Sequence, residues 1–206
     1  MAIHVISGTN GSGKTTIVAE FMRRCGMVPM AAPLIDSPRQ KSPRLHLVGG
    51  RVMVIGRFSG GTSTVDSLDI AAVVATAQRC GVDYEVVLEG QKLFNSYKRF
   101  IAIGNEVNFV HLVVPIEDCV SGVLARRKRV GNTALYDPKV VATLHGELVR
   151  KALLLETVGL KVLRLDRDGL ARHLDGLATN CLPFTSAQNM CIMEGQGEDL
   201  HGWTCS

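Results

Sequence analysis

The sequence predicts an α/β fold of three layers, with a mainly parallel five-stranded sheet between helices. Two observations predict it. Five short runs rich in β-branched residues, at 3–7, 51–56, 85–88, 109–114 and 161–165, are each bounded by turn or polar residues. Helix-length stretches separate them, and near-continuous apolar strands alternating with helices are the pattern of a parallel sheet covered on both faces. A chain of 206 residues, 46% hydrophobic and 20% charged, can bury one substantial core and is too short for two full domains. We therefore expect one domain over residues 1–179 and a tail over 180–206, where periodicity is weak.

The elements follow in order. After the first strand, a helix over 15–25 stops at Gly26, which suits a left-handed position just past a helix end. Residues 28–44 carry Pro29, Pro33, Pro38 and Pro43 with several basic residues, and read as a loop or lid. Residues 45–48, Gly49-Gly50 and residues 51–55 read as a β-hairpin with a two-residue turn. An apolar helix over 65–80 is expected to stop at Gly81 as the first does at Gly26. A further helix starts near Pro115 and runs into Arg126-Arg127-Lys128-Arg129. Asp137 is expected to cap a long helix with Pro138 at its first position, and Gly159 to close it.

Composition excludes little. The formal charge of +4 permits an anionic substrate without demanding nucleic acid. The N-terminus lacks a basic stretch leading into an apolar one, and no run approaches the length of a bilayer-spanning helix, so a soluble cytoplasmic protein is expected. Cys25, Cys80, Cys119, Cys181, Cys191 and Cys205 form no C-x-x-C pair and read mainly as free thiols; Cys181, Cys191, His201 and Cys205 are too loosely spaced to favour a zinc site.

The chemistry is carried first by Gly8-Thr9-Asn10-Gly11-Ser12-Gly13-Lys14-Thr15, followed by Thr16, which satisfies G-x-x-x-x-G-K-[ST] between a predicted strand and a predicted helix. The glycines let the backbone curl so that N–H groups converge on phosphate oxygens at the positive end of the helix. Lys14 is expected to reach the β- and γ-phosphates of ATP, and Thr15 to ligate Mg2+. This motif makes the fold the three-layer P-loop NTPase/kinase fold. Such a site needs a carboxylate at a neighbouring strand end, and Glu89, before Gly90, is the expected metal ligand.

On the acceptor side, Arg57 and the Gly60-Gly61 turn feed a predicted helix in which Asp66 and Asp69 lie three apart on one face. Arg57, Gly60, Gly61 and Asp66 are read as substrate-binding, and Asp69 as the general base; the same acids would also complement the helix dipole. Arg126 and Arg127 are read as catalytic arginines of a lid around residues 126–136, where they would offset charge on the transferred phosphoryl group, though a basic helix end is also plain dipole complementation.

Together, the motif from Gly8 to Thr16, the Gly60-Gly61 turn, Glu89-Gly90 and Arg126-Arg127 before Gly131-Asn132 resemble the bacteriophage-type P-loop kinases. These are similar to nucleoside monophosphate kinases and include the 5-hydroxymethyluracil DNA kinases. The resemblance spans roughly residues 1 to 168, and departs from the family pattern at Ser63, where an acid is expected. It implies ATP and Mg2+ as cofactors and DNA bearing a modified pyrimidine as acceptor, with Arg39, Lys41, Arg44, Lys92, Lys98 and Arg99 able to line a basic groove. Two other readings stay open: a kinase acting on a free nucleoside or nucleotide, and a P-loop ATPase. Phe58-Ser59-Gly60-Gly61-Thr62 faintly echoes a transporter ATPase signature, but Glu89-Gly90 stands where those enzymes carry an Asp-Glu pair. No N-K-x-D motif of a GTPase is present.

Overall fold

The computed structural model describes residues 1–30, 44–48, 51–56, 65–66, 68–104, 106–132 and 136–179. Its elements are β1 (Ala2–Gly8), α1 (Lys14–Arg24), β2 (Val28–Met30), β3 (Arg44–Val48), β4 (Val52–Gly56), α2 (Ile70–Cys80), β5 (Glu85–Glu89), a 3-10 turn (Leu93–Ser96), α3 (Tyr97–Ile101), β6 (Glu106–Leu112), α4 (Ile116–Arg129), α5 (Lys139–Thr157), β7 (Val162–Leu165) and α6 (Arg167–Thr179).

These strands form one sheet in the order β2-β3-β4-β5-β1-β6-β7. The five predicted strands, β4, β5, β1, β6 and β7, run parallel, and β2 and β3 add an antiparallel extension at one edge. Strand residues alternate between the two faces, as a period of two requires. Ile3, Val5, Met53, Ile55, Val86, Leu88 and Phe109 pack under α2, α3 and α5, where Val73, Phe100 and Leu155 meet them. Ile6, Val52, Val54, Val87, Val110 and Leu112 face the other way, against Val18 and Phe21 of α1, Cys119 and Val123 of α4, and Leu170 and Leu174 of α6. The three layers are thus two apolar cores sharing one sheet, each buried large side chain contributing about 1.5–3 kcal/mol relative to exposure.

Several expectations need correction. Val28–Met30 is a strand, within the stretch read as a loop or lid; it lies at the sheet edge, where the missing N–H of Pro29 is tolerated. Residues 31–43 lie outside the described residues, as does the Gly49-Gly50 turn, although the hairpin strands pair as expected, with Val48 opposite Val52. The second helix begins at Ile70 rather than Val65, because Asp69 caps it, accepting from the Ala71 N–H at 2.9 Å. Gly81 closes it in a right-handed conformation (φ −66°) rather than a left-handed one. Gly26 and Gly159 do adopt positive φ, 60° and 81°. The long helix begins at Lys139, one residue later than expected: Pro138 is the cap residue, and the Asp137 carboxylate accepts from the Lys139 N–H. β6 lies earlier than the predicted 109–114, in a register that sets Ala2 beside Glu106 and Gly8 beside Leu112. No helix among the described residues is long and apolar enough to cross a membrane.

β1 is where the strand order reverses: β5 and β4 lie to one side, β6 and β7 to the other. In an open α/β sheet, the crevice beyond the carboxyl ends of strands at such a point is where ligands bind. The register aligns Ile6 with Glu89 and Gly8 with Leu112, so the segments after β1 and β5 emerge side by side into that crevice.

Candidate phosphate-binding site

Residues 9–13 wrap the start of α1. Gly11 (φ 83°) and Gly13 (φ 97°) hold left-handed conformations that side chains disfavour, and the turn is closed by the Ser12 N–H donating to the Thr9 carbonyl at 3.1 Å. α1 has no side-chain cap, so the leading N–H groups of Lys14, Thr15 and exposed Thr16 face the crevice without an intrahelical acceptor. Ser12 Oγ is fully buried with no hydrogen-bond partner among the described residues. An uncapped helix start with an orphaned hydroxyl beside it fits a ligand rich in acceptor oxygens.

Lys14 is buried, its Nζ donating to the Gly8 carbonyl at 2.8 Å and the Thr9 carbonyl at 3.2 Å. Glu89 is equally buried: its Oε1 lies 4.0 Å from Lys14 Nζ, and its Oε2 accepts from Thr15 Oγ1 at 3.1 Å. Burial pushes the Lys14 ammonium below its ordinary pKa, while the charges of Glu89 and then Asp66 pull it back up, and Arg126 adds a smaller lowering. The expected metal pair, Thr15 and Glu89, is therefore brought together as a hydroxyl and a carboxylate. That is the hard oxygen donor set suited to Mg2+, which keeps waters and phosphates as its other ligands.

Asp66 and Asp69 do not share a helical face, since both precede α2. Asp69 is exposed and committed to the cap. Asp66 turns inwards, accepting from the Gln91 N–H at 2.8 Å and the Lys92 N–H at 2.9 Å, close enough to Lys14 for its charge to be felt. The two lid arginines also separate. Arg127 donates to Asn132 Oδ1 at 3.0 Å and lies 5.2 Å from the centre of the Tyr136 ring, whereas Arg126 is exposed and its charge weakly disfavours the Lys14 ammonium. Arg57, Gly60 and Gly61 lie outside the described residues.

Three contributors escaped sequence reasoning. α4 packs so closely on the phosphate loop that a Cβ on Gly11 would overlap the Cys119 carbonyl, and one on Gly122 would overlap the Gly11 carbonyl. A glycine inside an otherwise ordinary helix was the available signal for Gly122. His145 Nδ1, from α5, lies 3.1 Å from Thr9 Oγ1. Arg167, at the start of α6, donates to the Ser12 carbonyl at 3.0 Å. Neither of these two residues carries a local sequence signal, because each reaches the loop from a distant element.

Fold and site together define a three-layer α/β P-loop protein. Among solved structures, the chain is similar to the PezAT toxin–antitoxin system of Streptococcus pneumoniae, with 13% identity over 95% of this chain and 84% of that one, TM-score 0.49. Deoxyadenosine kinase from M. mycoides, with dCMP and dCDP bound, is 15% identical over 87% of this chain and 97% of its own, TM-score 0.45. A gluconokinase from Sinorhizobium meliloti is 15% identical over 93% and 97%, TM-score 0.40. No family model matches the chain, and no curated protein matches it in sequence. At such identities the chemistry has to be read from this chain's own residues.

Proposed function

We propose that the chain is an ATP-dependent phosphotransferase acting on a hydroxyl acceptor. The observation that carries this reading is the convergence of buried Lys14, the Thr15 hydroxyl and the Glu89 carboxylate where the phosphate loop meets the end of β5. ATP supplies the transferable phosphoryl group, and Mg2+, held by Thr15 and Glu89, offsets its charge. The backbone from Gly8 to Gly13, with the N–H groups of Lys14, Thr15 and Thr16, cradles the phosphates. Lys14 exchanges its bonds to the Gly8 and Thr9 carbonyls for phosphate oxygens, and Arg126 closes over them from a lid that Arg127 braces. We assign the acceptor's proton to Asp66 rather than Asp69, because Asp69 is held in the α2 cap whereas Asp66 is tied to the segment after β5. Arg57 and the Gly60-Gly61 turn are assigned to the acceptor.

For the acceptor itself, the resemblance supports the hydroxymethyl group of 5-hydroxymethyluracil in DNA. A free nucleoside or nucleotide is the second reading, favoured by a cleft of about 670 Å³ between α5 and the segment after β5, a size typical of small-molecule sites. The test is incubation with γ-labelled ATP and Mg2+ plus hydroxymethylated DNA, unmodified DNA or free nucleosides and nucleotides, with Lys14→Ala as control. Label on one acceptor, lost in the variant, supports phosphotransfer. Hydrolysis of ATP with no acceptor labelled would instead make the chain an ATPase.

A further inference from the structure

The cleft of about 670 Å³ lies between α5 and the segment that follows β5. Both of its walls are tied to the phosphate site. On one wall, Gln91 and Lys92 donate their N–H groups to Asp66, and the Gln91 carbonyl accepts from Ser7 Oγ of β1 at 3.0 Å. On the other, His145 joins α5 to Thr9 of the phosphate loop. The segment after β5 is thus hydrogen-bonded to Asp66, and α5 to Thr9 of the phosphate loop.

Its lining combines apolar, amide and charged groups. Leu144 and buried Leu148 offer an apolar face, and the amides of Gln91 and Asn95 stand beside it as paired donors and acceptors. Lys92, Arg150 and Lys151 also line it, three cations against the single anion Glu147, with Lys151 Nζ 5.8 Å from the centre of the Tyr97 ring. Arg150 and Lys151 follow His145 by five and six residues, about 8–9 Å along the helix at ~1.5 Å per residue. An apolar face, hydrogen-bonding amides and a surplus of cations match one nucleotide better than an uncharged alcohol.

We propose that this cleft is the acceptor site, with the acceptor's base on Leu144 and Leu148 and its nucleotide phosphate on Lys92, Arg150 and Lys151. The proposal rests on the phosphotransferase reading above. The phosphate comes either from a free nucleotide or from a DNA backbone. Three probes distinguish these sources: 5-hydroxymethyl-2′-deoxyuridine, its 5′-monophosphate, and a short oligonucleotide carrying the same base. Binding of each to the full chain is measured calorimetrically with a non-hydrolysable ATP analogue and Mg2+ present, alongside label transfer from ATP. The monophosphate or the oligonucleotide is expected to bind about tenfold or more tighter than the nucleoside, as charge-assisted hydrogen bonds provide. The double variant Arg150→Ala, Lys151→Ala is expected to lose that advantage while its affinity for the ATP analogue and its melting temperature stay unchanged. Equal affinity for all three probes, an advantage that survives in the variant, or a parallel loss of ATP-analogue binding would each overturn the assignment. Phosphate-dependent binding with no label transfer would uphold the cleft as a nucleotide site and refute the phosphotransferase reading alone.

Discussion

Gly122→Ala tests whether the phosphate loop is held in shape by α4. The substitution sits inside α4, where alanine would ordinarily gain about 1 kcal/mol over glycine through helix propensity. The local packing opposes that gain. The new Cβ would overlap the Gly11 carbonyl oxygen and lie 3.1 Å and 3.2 Å from the Gly11 carbonyl carbon and Cα, all of them backbone atoms that no rotamer change can move. Optimal carbon contacts lie near ~3.5–4.0 Å, so helix and loop must part by on the order of 1 Å. Overpacking of this kind costs about 1–3 kcal/mol, which outweighs the propensity term, and the net expectation is destabilisation by up to about 2 kcal/mol. The larger effect falls on the ligand, because the displaced atoms belong to the cradle itself. Weaker binding of an ATP analogue, by tenfold or more, is expected from the lost geometry of its N–H donors. Thermal unfolding and calorimetric titration with the analogue measure both. A variant that melts at or above the parent temperature and binds the analogue equally well would refute the claim that α4 shapes the loop.

Two further expectations concern single groups. Asp66→Asn should reduce phosphotransfer by about a hundredfold or more, the usual scale for losing a general base, whereas Asp69→Asn should cost at most about 1 kcal/mol in unfolding as a weakened cap; steady-state kinetics and melting of both variants separate the roles, and the reverse pattern would restore Asp69 as the base. His111 and His173 are each pushed down to about 4, chiefly by burial, so between pH 6.5 and about 4 the unfolded chain binds protons that the folded chain does not. Stability is therefore full above pH 6.5 and falls as the pH drops through that window. His111→Leu should flatten the decline in melting temperature, and a parent protein that melts equally at pH 7 and pH 5 would contradict the assignment.

What was legible in the sequence follows from where the signal is local. The phosphate loop was readable because one continuous segment supplies the glycines, the cation and the hydroxyl, and Glu89 was readable because an acid after a buried strand must emerge at the sheet edge. The five parallel strands were readable from their apolar runs. Val28–Met30 was not, because prolines obscure a short strand that backbone pairing with Arg44–Val48 nevertheless holds at the edge. The start of α2 was misplaced because Val65 and Leu68 match a helical period while being buried for another reason: the Val65 N–H donates to the Glu89 carbonyl and ties this segment to β5. The same tie sets Asp66 beside the Gln91 and Lys92 N–H groups, while Asp69 caps α2. Contacts such as His145 to Thr9 and Arg167 to Ser12 span more than a hundred residues of chain, and no local pattern encodes them.

The charge balance of the site argues for how its substrate must arrive. Lys14 is the buried cation of the cradle, and two carboxylates, Glu89 and Asp66, act on it. Counted formally, one cation faces two carboxylates here before any phosphate enters, in surroundings where charges are weakly screened. A bare triphosphate would gain Lys14 and the α1 N–H groups but would meet both acids. The acids become favourable only when a divalent cation comes with the phosphates, and the Thr15 hydroxyl and Glu89 carboxylate, already 3.1 Å apart, are the oxygens that would receive it. Asp66 is held differently. Gly90 leaves room for its carboxylate, since a Cβ there would lie 2.8 Å from Asp66 Oδ1, and the two N–H groups it accepts belong to the wall of the cleft. On the phosphotransferase reading proposed above, Glu89 would stand at the metal and Asp66 at the acceptor, one at each end of the transferred phosphoryl group.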